Sequence, residues 1–121
     1  MTTHADAESV AHLVVEAFSP NDRAAAVMAG LAVEREVRHL LRSYLVSNRA
    51  LLDRLFRSDA GPLGRLASQI DMAFALGIIP AVMYRDLHLI RKMRNHCAHE
   101  LRPHLGAPPL QGWLKPRNHS W

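Results

Sequence analysis

Apolar residues recur every three or four positions along most of this chain, the period of an amphipathic helix rather than of a strand. Residues 5–18 carry Val10, Leu13, Val14, Ala17 and Phe18 at that spacing and predict a short first helix. Ser19-Pro20-Asn21-Asp22 then stops the chain and restarts it: Pro20 breaks the pattern, and Ser19 or Asn21 can cap a new N-terminus. The longest helical pattern follows, to about residue 46, with Val27, Leu31, Val37, Leu41 and Leu45 as its apolar face. A shorter segment over 48–56 carries Leu51, Leu52, Leu55 and Phe56, and Ser58-Asp59-Ala60-Gly61-Pro62 has the residue chemistry of a turn. Residues 63–76 turn Leu66, Ile70, Ala73 and Phe74 to one side, with Gly77 as the stop. Pro80 suits the first turn of a last long helix that reaches about Leu101, and Pro103 ends it. The expectation is an all-α bundle of five helices in one domain, residues 1–102. A Pro/Gly-rich tail, 103–121, follows, and its Leu110, Trp113, Leu114 and Trp121 can dock on the body.

The last helix carries the informative anomaly. Met83, Leu87, Ile90, Cys97, Ala98 and Leu101 align as an apolar stripe, and Arg94 falls inside it. Arginine is almost never fully buried without a partner. The second helix supplies one by the same reasoning, because Glu34 sits among its apolar positions. Two opposite charges, each in the middle of an apolar stripe, predict that the stripes face each other and that Glu34 pairs with Arg94.

Beside that stripe runs a polar seam of Tyr84, His88, Arg91, Asn95, His99 and Arg102, successive members three or four residues apart. Imidazole moves protons near neutral pH, and guanidinium binds a phosphodiester and stabilises developing charge. A ribonuclease that uses the RNA 2′-hydroxyl as internal nucleophile needs little more, and no metal. The plain alternative is a solvated helix face. His96, Cys97 and His99 are poor metal ligands together, since neighbouring helix positions diverge; zinc would need His39, His88 or His104 as well. Cys97 lies on the apolar stripe and reads as a buried, inert thiol.

Composition sets outer bounds. At 121 residues there is room for one core. The net charge of +4 permits a nucleic-acid partner without requiring one, and Lys92 and Lys115 are the only lysines, so arginine carries nearly all the basic charge. The single cysteine excludes an internal disulfide and fits a reducing compartment. With a polar N-terminus and no long apolar run, the expectation is a cytoplasmic protein with no membrane partner.

Several stretches in order resemble the mannitol operon repressor (MltR) family. They are Gly61-Pro62-Leu63-Gly64, the run from Gln69 to Ile79, Tyr84-Arg85-Asp86-Leu87, and Ile90-Arg91-Lys92-Met93-Arg94-Asn95-His96-Cys97-Ala98-His99. The likeness spans about residues 20 to 101. The last segment is also similar to the arginine–polar–spacer–histidine signature of the wider HEPN superfamily of helical bundles. That resemblance implies a homodimer pairing two motifs across one cleft, with metal-independent cleavage of RNA and no cofactor. It implies Arg94, Asn95 and His99 as catalytic residues, with Glu34 as a supporting acid. His88, Arg91, Tyr84 and Arg102 stand beside them as supporting members of the seam. The same resemblance admits two other roles. One is a non-enzymatic transcriptional regulator, although no helix-turn-helix signature is present. The other is a toxin held in check by an antitoxin or regulatory protein partner.

Overall fold

The computed structural model describes residues 4–105, with side chains from 7 to 101. Five helices follow one another: α1 (His4–Glu16), α2 (Pro20–Ser43), α3 (Arg49–Leu55), α4 (Leu66–Ala75) and α5 (Ala81–Leu105). The described residues include no strand. The fold is an all-α bundle in which α5 is the shared element, packed against α1, α2 and α4.

Local chemistry sets most of the boundaries. Ser19 caps α2, its hydroxyl accepting from the Asp22 N–H at 3.1 Å, while the Asp22 carboxylate accepts from the Ser19 N–H and Pro20 sits in the first turn. Asn48 caps α3 by accepting from the Leu51 N–H at 3.0 Å. Gly77 ends α4 at φ 74°, with its N–H on the Phe74 carbonyl and the Ile78 N–H on the Ala73 carbonyl, the paired bonds of a Schellman stop. The last turn of α1 has no basic residue of its own. Arg23 reaches back from α2 instead and donates Nε and Nη2 to the Val15 carbonyl, which also accepts from the Phe18 N–H.

The main core is built from Val37 and Leu41 of α2, Leu52 of α3 and Phe56 just after it, Leu66, Ile70 and Ala73 of α4, and the loop residues Leu63 and Ile79. Ala11 and Val15 bury the inner side of α1, and Cys97 is fully buried on α5. Arg38 donates to the Phe56 carbonyl at 2.7 Å, and Arg42 pairs with Asp53 at 3.1 Å, so two α2 arginines bind the α3 region by polar contacts over the Phe56 ring.

Three expectations change. Residues 63–65 are not helical: the Leu63 N–H bonds the Leu55 carbonyl at 2.8 Å, and the buried Gln69 amide donates to the Leu63 carbonyl at 2.9 Å. These bonds hold the Gly-Pro-Leu-Gly segment as a strap over the end of α3, and a Cβ on Gly64 would collide with the Arg57 carbonyl. Second, α5 takes in Pro103 and ends at Leu105. Proline lacks the N–H that would bond the residue 99 carbonyl, and the helix stops within one turn rather than before it. Third, the apolar stripes are only partly covered. Leu31 is half exposed, as are Met83 and Ile90 to lesser degrees, and Ala98 faces solvent, whereas Cys97 is fully buried. A single apolar stripe suits one covering neighbour, but α5 packs against three helices. The tail residues Leu110, Trp113, Leu114 and Trp121 lie outside the described residues.

Candidate functional site

Arg94 and Glu34 meet where α5 crosses α2. Arg94 Nη1 lies 2.8 Å from Glu34 Oε1, with the arginine side chain 16% and the glutamate 30% exposed. The reason it fits is Gly30, one turn before Glu34 and buried. The Arg94 stem lies flat against this glycine, and any Cβ there would occupy the place of Arg94 Cγ. The stem is thus packed on backbone while the head remains near the surface, the usual compromise for a long cationic side chain. Arg94 Nε also donates to Asn95 Oδ1 at 3.2 Å, so the amide is tied to the same guanidinium.

Asn95 and His99 are exposed, and the His99 side chain forms no hydrogen bond or ion pair with any described residue. The two are one helical turn apart on α5. Arg94, Asn95 and His99 therefore make a short ridge: an anchored cation, an amide held by it and a solvent-facing imidazole. Glu34 is the acid behind the cation. Arg102 lies outside the residues whose side chains are described.

The upper half of the predicted seam has a different character. His88 is buried, and its Nε2 lies 2.9 Å from Asp71 Oδ1 of α4. Tyr84 donates its hydroxyl to the same carboxylate oxygen at 3.0 Å. Arg91 Nε donates to His88 Nδ1 at 3.2 Å, so that nitrogen must carry a lone pair and the ring proton sits on Nε2, pointing at Asp71. Tyr84 stacks on Phe74 and sits edge-on to His88, with ring centroids 4.5 and 4.8 Å apart. The bond to Asp71, aided by burial, pushes the Tyr84 phenol above its ordinary value, because ionisation would set a phenolate against a carboxylate. Tyr84 and His88 are thus fastened to α4 rather than open to an anion. Asp71, which joins them, gives no sign in the α5 sequence pattern; its only hint is a carboxylate on the preceding helix.

His96, set aside from the ridge, turns to α1. Its Nε2 lies 2.8 Å from Glu8 Oε1, and Lys92 Nζ lies 2.8 Å from Glu8 Oε2. The Lys92 bond above all, with help from His96, holds the Glu8 carboxyl below its ordinary 4.5. His12 packs edge-on against His96 at 5.5 Å. Burial pushes the Cys97 thiol up from its ordinary range, which leaves it a poor nucleophile. Among the described residues no three His, Cys, Asp or Glu side chains converge as metal ligands.

No protein-family model, curated protein or solved structure matches this chain. No helix among those described is long and apolar enough to cross a membrane.

Proposed function

We propose that this protein is a metal-independent RNA endonuclease of the HEPN type, acting as a homodimer. The observation that carries the reading is the ridge on α5: Arg94, fixed by Glu34, next to exposed Asn95 and His99. A phosphodiester laid on the ridge meets a guanidinium already oriented and already partly desolvated, which strengthens its pull on developing phosphate charge. His99 takes the proton from the RNA 2′-hydroxyl or gives one to the leaving 5′-oxygen. Asn95 orients the phosphate from the side. One copy of the ridge offers a single free imidazole, and the two proton transfers call for two, so a second copy supplies the other. Leu31, three residues before Glu34, and Ile90, four before Arg94, are exposed apolar neighbours of the pair and suit such a contact.

The reaction needs the 2′-hydroxyl. In excess chelator the protein cuts single-stranded RNA and leaves fragments ending in a 2′,3′-cyclic phosphate, and a strand of the same sequence with 2′-deoxyribose throughout stays whole. Cutting of the deoxy strand, or a requirement for divalent metal, contradicts the proposal.

One observation favours a second reading. Arg94 already spends Nη1 on Glu34 and Nε on Asn95, which suits a purely structural ion pair. In that case the protein is a dimeric interaction module of a transcriptional regulator. RNA then stays intact, and Arg94→Ala alters assembly alone.

A further inference from the structure

Asp71, His88 and Arg91 form a relay that the ridge chemistry does not use. The carboxylate of Asp71 on α4 accepts the Nε2 proton of buried His88 at 2.9 Å, and His88 Nδ1 accepts from Arg91 Nε at 3.2 Å. Tyr84 clamps the far end through the same Asp71 oxygen and the edge of its ring. The imidazole is thereby fixed in position and in tautomer, and it fixes the Arg91 guanidinium through its inner nitrogen. The two outer nitrogens of Arg91 bond no described residue. A guanidinium held at Nε with both Nη groups unspent has its fork preset for a two-oxygen anion. Arg91 stands one turn before Asn95 on α5, about 6 Å along the axis at 1.5 Å per residue.

We infer that Arg91 is a second phosphate contact, for the phosphate next to the one that is cut, and that His88 and Asp71 are its positioning residues. The inference rests on the RNA reading above. It gives the ridge a polarity along the strand: the scissile phosphate at Arg94, Asn95 and His99, its neighbour at Arg91. It also explains why a buried histidine is set against a partly exposed arginine. A surface arginine loses much side-chain entropy on binding, and the relay removes that loss beforehand.

The test is the salt dependence of binding, read on a single-stranded octanucleotide with 2′-deoxyribose, which cannot be cut through a 2′-hydroxyl. Each phosphate contact on a single strand contributes about 0.7 to the slope of log affinity against log salt. Arg91→Ala should lower the slope by about that amount. Arg85→Ala, an exposed arginine on the same helix outside the relay, should leave it unchanged. His88→Leu removes the acceptor for Arg91 and should weaken binding several-fold. His88→Gln can both donate to Asp71 and accept from Arg91, and should restore most of that loss. A slope unchanged in Arg91→Ala overturns the inference, as does an equal fall in Arg85→Ala or an absence of binding by the unaltered protein. If the slope falls as stated but RNA is never cut, the phosphate contact stands and the ribonuclease reading fails.

Discussion

Arg94 and Gly30 show how two residues a helix apart define one position. The ion pair with Glu34 was legible in the sequence because an arginine in an apolar stripe demands a carboxylate, and α2 has one in its own stripe. Gly30 was not legible, because a glycine in a helix signals nothing until the neighbour that lies on it is known. Its role reverses the sign of a simple expectation. At an open helix position Gly→Ala stabilises by roughly 0.5–1 kcal/mol. Here Gly30→Ala should destabilise by about 1–3 kcal/mol, since the added methyl takes the space of the Arg94 stem. Urea unfolding with the Glu34→Ala variant alongside decides it: that change should cost about 1.5–3 kcal/mol, the range for a hydrogen bond to a charged group. A stabilised Gly30→Ala variant would mean that Arg94 does not lie on Gly30.

At the scale of elements, the five helices and most of their stops follow from periodicity and capping chemistry, as Ser19, Asn48 and Gly77 show. What periodicity could not supply is which sides of α5 are covered. His88 reads as one more member of an open seam, yet it is buried, because α4 places Asp71 against it. Ile90 reads as core, yet it is more than a third exposed, because no described helix lies over it. The same limit hid the attachment of α1, which depends on Glu8 reaching both Lys92 and His96. That attachment has a pH signature. Glu8 has its folded-state value below the ordinary 4.5, so its contribution is full above 4.5 and is lost as pH falls through the lower folded value. Amide exchange in α1 should accelerate relative to α5 as the solution is acidified through that window. Glu8→Gln should exchange faster at neutral pH and show no further acid-dependent rise from this contact. Equal protection of α1 in both proteins at every pH would show that Glu8 does not hold the helix.

At the largest scale the described residues form a bundle whose shared helix, α5, packs on three others and presents a short ridge; under the proposed reaction that ridge holds half the acid–base groups needed. Spacing places Arg94 in the apolar stripe and Asn95 and His99 on the adjoining seam, and joining the three as candidate catalytic residues follows from the resemblance. The pairing of Tyr84 and His88 with Asp71 was not, since it depends on a helix crossing. If two copies complete the site, assembly and activity must fall together. Leu31→Asp puts a charge on the half-exposed apolar position beside Glu34. Sedimentation should then shift from dimer to monomer, with RNA cutting reduced at least tenfold. A monomeric protein that cuts at full rate would show that one ridge suffices.

The most direct measurement is RNA cleavage in excess chelator by the unaltered protein and by His99→Ala. The His99 side chain is exposed and bonds no described residue, so its removal should leave helicity and melting temperature unchanged. The account predicts cutting to cyclic-phosphate ends by the first and none by the second; undiminished cutting by a folded His99→Ala protein, or no cutting by either, would contradict it.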